Sequence, residues 1–566
     1  MRSCAQIFMP LFKRIARRHG WSTTGLLLAL MLLTGCMRQP AVTARGYSVG
    51  NQLAPLAQQV FRCSVSGAPR SLDPSLSTDE PSYEVLINLF EGLTTLNARA
   101  VVVPGVASSW TVTKNGLRYV FHLRHDARWS NGAPVTAQDF VYAWRRVVDP
   151  ATAAQYAESL NMIVNAPAIV GGKLPPSALG VHAEGPWTLV VDLREPAPYL
   201  LDALTNNYFD PLYPPTIQKW GYAWTTPPHL ISDGPFYLAN EVINGRLTLL
   251  KNPWYWDARA VHLREEVIYP IHNTAAALDR YLAGDIDYAA SPTAFPASDL
   301  AMLRKDLGAQ VVIAPYFGTA YLGMLVHQPP FDNRDLRLAL SMAVERHVLD
   351  DKLGRGLWIP AYSLMPPLAG YTRQVPAWAH WPRAQRIAEA RRLYAAAGYG
   401  PGHELRVRLL YPIEGSAERH MMEALSLMWK QNLGADIGLW SEQWKVMLQD
   451  IQYKNAKLYW SAWIGNYLDP NTFMRQFQTG YAMNYGDFDN PAYEQPLVQA
   501  QHSAAGPTRM ALFERAERAL GARMPYIPLY FYTADSLVKP WVRGWYPNLM
   551  DLHPARYIAI LRHTEH

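Results

Sequence analysis

The stretch Phe121–Trp144, FHLRHDARWSNGAPVTAQDFVYAW, contains a change of hydrophobic period that decides the fold class. At its upstream end, Arg118–Arg124 (RYVFHLR) alternates Tyr119, Phe121 and Leu123 with its other residues, the two-residue period of a strand with one buried face. At its downstream end, Val135-Thr136-Ala137-Gln138-Asp139 opens a helix. Thr136 is placed to cap it and Asp139 suits its positive end, while Phe140, Val141, Trp144 and Val148 make a stripe for burial. Working outward, Trp187–Leu193 (WTLVVDL) predicts a second strand, and Ser416–Leu433 predicts an amphipathic helix stopped by Gly434. Strand and helix patterns mix along the whole chain, so the class is α/β or α+β. The 44 prolines fall mainly in expected connections such as Pro214-Pro215, Pro227-Pro228, Pro329-Pro330 and Pro366-Pro367.

The N-terminus predicts export. Arg2, Lys13, Arg14, Arg17 and Arg18 precede Gly25–Leu33 (GLLLALMLL), an apolar core of secretory-signal length and too short for a permanent bilayer span. Leu33-Thr34-Gly35-Cys36 then resembles a bacterial lipobox, which makes Cys36 the expected site of acylation. Residues 1–35 are read as a lipoprotein signal peptide, and residues 36–60 as a lipidated tether without a clear period.

Loss of the signal lowers the formal charge from +6 to +1, which gives no electrostatic reason for a nucleic-acid partner. Cys36 and Cys63 are the cysteines beyond the signal, so no disulfide framework is expected and packing must supply the stability. At 566 residues two or three domains are expected. The 19 Trp and 32 Tyr serve a core, and they also suit a cleft with apolar walls and polar edges.

Motifs for catalysis are missing from the sequence. There is no HExxH, no GxSxG and no GxxxxGK[ST]; Gly171-Gly172-Lys173 is followed by Leu174 where a magnesium-binding hydroxyl would be needed. His122 and His125 flank Arg124 and read as surface or satisfied residues, and Asp285 with Asp287 reads as a capping or solvated pair in a turn. The sequence therefore predicts a binding protein, with no enzyme activity, no cofactor and no metal.

From Phe61 onward the chain resembles the oligopeptide-binding proteins of bacterial ABC importers. The resemblance rests on SLDP (Ser71–Pro74), LFEGL (Leu89–Leu93), PGVASSW (Pro104–Trp110), the Phe121–Trp144 stretch, SDGPF (Ser232–Phe236), KNPWYWD (Lys251–Asp257), AGDID (Ala283–Asp287), PPFDNRDLRLAL (Pro329–Leu340) and LVKPWVRGW (Leu537–Trp545). It implies a periplasmic-binding-protein-like clamp with a third domain. Lobe one would comprise 61–81, 205–316 and 533–566, lobe two 82–204 and lobe three 317–532. The ligand would lie between lobes one and three, which close on it by a hinge. The implied function is a lipid-anchored, extracytoplasmic, monomeric receptor that delivers peptides or peptide-like compounds to an ABC permease. A receptor of the same fold for cell-wall peptides or other modified ligands, used in recycling or signalling, is the alternative.

The resemblance also marks a cleft. Tyr156, Trp444, Trp463, Tyr467, Tyr316 with the nearby Gly318, Tyr321 and Tyr532 fall at its positions. Where the family's W-x-x-D-Y supplies an aspartate for a peptide's ammonium, this chain has Trp463-Ile464-Gly465-Asn466-Tyr467. Thr78 stands where relatives have a glutamate, with Glu80 two residues on, and two arginines that meet a peptide carboxylate align with Ile451 and Trp460. Two readings follow. The ligand is neutral, blocked, cyclic or short and rests on a platform of Trp460, Trp463 and Trp444. Otherwise Glu80, Asp469 or Glu442 replaces the missing acid and Lys454 or Lys457 the missing base.

Overall fold

Thr136 and Asp139 do meet at the start of a helix: the Thr136 amide and hydroxyl donate to Asp139 Oδ2 at 2.8 and 3.0 Å. In the computed structural model, which describes residues 47–413 and 416–565, this cap opens a helix at Ala137–Val148. Its Phe140, Val141, Trp144 and Val148 are buried. The predicted signal, Cys36 and the start of the predicted tether lie outside the described residues.

In chain order the elements that position the site are strand β1 (Tyr47–Leu53), strand β2 (Val60–Val65), helix α1 (Glu80–Leu89), helix α2 (Ala137–Val148), strand β3 (Val311–Met324), helix α3 (Ser416–Leu433), strand β4 (Leu458–Ile464), strand β5 (Tyr526–Val538) and strand β6 (Ala559–Glu565). β1 departs from the tether reading, since Tyr47, Ser48 and Val49 pair antiparallel with β6. The backbone supplies this pairing, which a periodicity search does not see.

An eleven-stranded sheet runs through the molecule, and β3 and β5 are its spine. They pair antiparallel from Val311–Leu537 to Pro315–Thr533, and again from Thr319–Phe531 onward, with a register shift between. The interruption spans residues 316–318, where the Phe317 amide donates instead to Leu549 O at 2.8 Å. β4 lies on the other side of β3, with Gly318 opposite Ile464 and Leu322 opposite Trp460. A separate four-stranded sheet is built from Ala107–Thr113, Arg118–Leu123, Thr188–Asp192 and Val181–Ala183.

The apolar side chains gather into distinct cores. One joins Phe61, Leu86, Trp144, Leu249 and Trp541. Another joins Leu322, Leu340, Trp429, Leu458 and Ile527 on one face of the β3–β4 region, and a third packs Phe317, Phe473, Tyr493 and Tyr526. Pro214-Pro215 departs from the expectation of a connection by opening the helix Pro214–Trp220, whose first turn tolerates a residue without an amide hydrogen. Asp287 is likewise no solvated turn residue: it is buried and accepts from the Arg62 amide and the Trp541 indole, both at 2.8 Å.

Candidate functional site

A cavity of about 350 Å³ opens where the start of α1, the 206–208 turn, the break in β3, the end of β4 and the 550–552 segment converge. Asp79 caps α1, accepting from the Ser82 amide at 3.0 Å, and Pro81 fixes the first turn. That cap turns Thr78, Asp79, Glu80 and Tyr83 into the cavity wall. Opposite stand Tyr156, Asn206, Asn207 and Tyr208, and across the gap Tyr316, Ile464 and Asn466. Asn206 reaches over, donating its Nδ2 to Asn466 O at 3.2 Å, and Asn207 Nδ2 donates to Pro74 O at 3.1 Å. The rings of Tyr156 and Tyr208 tilt together at 5.5 Å.

The electrostatics are one-sided. Asp79 and Glu80 line the cavity, and no lysine, arginine or histidine does. Glu80 Oε1 accepts from the Tyr316 hydroxyl at 3.2 Å. Enclosure by protein, and then the charge of Asp551, pushes the Glu80 carboxyl up to about 7, with the Tyr316 hydrogen bond opposing. A carboxyl in that state takes up its charge readily when a cation arrives. Among the described residues no group of three or more His, Cys, Asp or Glu has the geometry to hold a metal ion.

Of the sequence-predicted site residues, Thr78, Glu80, Tyr156, Tyr316 and Asn466 meet in this cavity. The tryptophans do not form one platform. β4 pairs with β3 without a slip, so Trp460 and Trp463, three residues apart, project from opposite faces. Trp460 is buried in a core and meets Trp444 edge to face at 6.3 Å. Trp463 packs on the other side and donates Nε1 to Thr472 Oγ1 at 3.2 Å. Tyr467 stacks on Tyr199 at 5.1 Å, and Tyr321 is buried edge-on to Tyr526 at 5.9 Å. Tyr532 packs edge-on to Tyr530 at 5.1 Å. Gly318 matters through its missing side chain: a Cβ there would stand 2.3 Å from Ile464 Cδ1 and 2.9 Å from Tyr532 Cδ2.

The proposed substitutes for the missing anchors sort cleanly. Asp469 is committed to Arg509, whose Nη2 donates to Oδ1 at 2.9 Å within the buried core. Glu442 takes the Trp440 indole at 3.0 Å. Lys454 donates to Asp487 at 2.8 Å and Lys457 to Pro329 O at 2.8 Å. Glu80 alone of these five lines the cavity. Sequence reasoning missed Asp79, Tyr83, Asn206, Asn207 and Tyr208. A helix-start signal, Asp79 followed by Pro81, was available for the first of them.

Residues 101–485 match the model of the bacterial extracellular solute-binding proteins, family 5 (middle region). The chain belongs to this family. This family 5 solute-binding protein is 36% identical over 507 residues to the periplasmic murein peptide-binding protein MppA of Escherichia coli (strain K12), covering 88% of this chain and 93% of that one. It is 32% identical over 522 residues to the periplasmic oligopeptide-binding protein OppA of Salmonella typhimurium, covering 92% and 95%. Its fold matches MppA in the unliganded open form with a TM-score of 0.79 at 34% identity, covering 90% of this chain and 98% of that one. The mixed, multi-domain periplasmic-binding-protein architecture is therefore established, and the relatives are binding proteins rather than enzymes. No helix among the described residues is long and apolar enough to cross a membrane.

Proposed function

We propose that this protein is an extracytoplasmic receptor, lipid-anchored through Cys36, that captures a peptide or peptide-like compound and delivers it to the permease of an ABC importer. The clamp is formed by a lobe of 61–81, 205–316 and 533–566 and a lobe of 317–532, with 82–204 as the third domain. The observation that carries the reading is the cavity whose charged lining is Asp79 and Glu80 alone. Such a lining selects the ammonium end of a ligand, so Glu80 takes over the role that Asn466 cannot fill. The ligand's carboxylate meets no cation there, because Ile451 and Trp460 are core residues and Lys454 and Lys457 are engaged elsewhere. The ligand thus needs a free amine but no free carboxylate. Similarity to a murein peptide-binding protein favours cell-wall peptides as one ligand source.

Calorimetry with Ala-Ala-Ala, its N-acetyl form and its C-terminal amide tests this reading. A charge-assisted hydrogen bond contributes about 1.5–3 kcal/mol, so N-acetylation is expected to weaken binding ten- to a hundredfold. Amidation is expected to change it less than about threefold, since surface-type ionic contacts contribute little. Equal affinity for the free and acetylated peptides would restore the blocked-ligand reading.

A further inference from the structure

We propose that an acidic well beneath the cavity, formed by Glu84, Glu266 and Asp551, receives a second cationic group of the ligand, the ammonium of a lysine-like side chain. This rests on the reading of the outer cavity as the ligand site and adds a side-chain specificity to it. Glu84 follows Glu80 by one helical turn, on the same side of α1. The segment 550–553 divides the two spaces: Met550 and Leu552 line the outer cavity, and Asp551 and His553 the inner one. The inner cavity measures about 30 Å³, enough for a group of water size, which is also the size of an ammonium head.

The well is built but unfilled by charge. Glu266 is 3% exposed, and its Oε1 has weak donors in Cys63 Sγ at 3.6 Å and Asn88 Nδ2 at 3.5 Å. Glu266 Oε2, Glu84 Oε2 and His553 Nδ1 are buried without a hydrogen-bond partner. Asp551 pairs with His553 Nε2 at 3.0 Å. Neither lysine nor arginine lines either cavity. A buried carboxylate oxygen without a donor is costly, and an N–H donor with positive charge is what would relieve it.

The titratable groups lining the well are Glu84 from α1, Cys63 from β2, Glu266, Tyr288, and Asp551 with His553, and Glu80 acts on Glu84 from one helical turn away. Burial, then Glu80, Asp551 and Glu266, pushes Glu84 up, and burial pushes Glu266 up to about 8. Both shifts favour the protonated form of Glu84 and Glu266. An entering ammonium keeps its own protons, and the carboxyl it meets ionises and releases one to solvent. Capture of the second cation is accordingly tighter at higher pH.

The test compares Ala-Lys-Ala with Ala-norleucine-Ala by calorimetry at pH 8. The lysine peptide is expected to bind at least tenfold tighter. E266Q is expected to erase that preference while leaving the norleucine peptide within twofold. E266Q removes a crowded buried acid, so it should fold at least as well as the parent, and E84Q gives the same reading from α1. Equal affinity for the twins, or a preference that survives both substitutions, overturns the proposal. Binding of neither peptide overturns the outer-cavity reading instead. The well is then decided by cadaverine added to protein labelled with ¹³C at the glutamate carboxyls. Movement of the Glu84 and Glu266 signals supports it, and unmoved signals overturn it.

Discussion

Carboxylates in the 317–532 region and those around the start of α1 are partnered in different ways. In the first region three are held by strong donors. Asp469 is held by Arg509, Glu345 by Arg386 at 2.7 Å, and Glu517 accepts from the Leu364 and Met365 amides at 2.9 and 2.8 Å and from the Tyr371 hydroxyl at 2.8 Å. Around α1, Glu80, Glu84, Glu266 and Asp551 have one histidine among them. The first arrangement fixes the packing of helices and loops. The second lowers stability and is worth keeping only if something outside the chain supplies the positive charge, the usual relation between a binding site and the fold that carries it.

The largest expected effect lies in the first region. Asp469→Ala strands a buried guanidinium, and urea denaturation is expected to show a loss of about 3–5 kcal/mol. Next, Glu80→Gln is expected to weaken amine-bearing peptides about ten- to thirtyfold in calorimetry at pH 8. The third effect has the opposite sign to the first. Glu80 and Asp535 at about 7 and Glu266 at about 8 all lie above the unfolded carboxylate range. The folded state therefore binds protons more tightly than the unfolded chain. The stability from these groups is complete below pH 4 and is lost as pH rises through 7 and 8. Thermal melts of the ligand-free protein are expected to fall across that window. Glu266→Gln is expected to flatten the fall and to gain on the order of 1–2 kcal/mol at pH 8. A Glu266→Gln protein less stable than the parent at pH 8 would erase the contrast between the two regions.

How much was legible in the sequence follows the range of the forces involved. Local signals read well: the Thr136–Asp139 cap, the strand at Arg118–Leu123, and α3 ending at Gly434 with φ +76° all follow from spacing and turn chemistry. Of the candidate cavity's lining, Thr78, Glu80, Tyr156, Tyr316 and Asn466 were marked by the family motifs. Asn206 and Asn207 were not, because what aims them is contact with residues 260 and 133 positions away. The tryptophan platform failed for a reason the sequence did contain. Trp460 and Trp463 are an odd number of residues apart on a strand, so one face cannot hold both. The acidic well was out of reach, since Cys63, Glu84, Glu266 and Asp551 come from four distant segments.

A crystal structure of the protein with a bound amine-bearing tripeptide would show which group holds the ligand's amine. The ligand's ammonium is expected within about 3 Å of the Glu80 carboxylate, inside the space bounded by Tyr316, Tyr156 and Asn466. A ligand seated with its amine away from Glu80, or paired instead with Asp469, would contradict it.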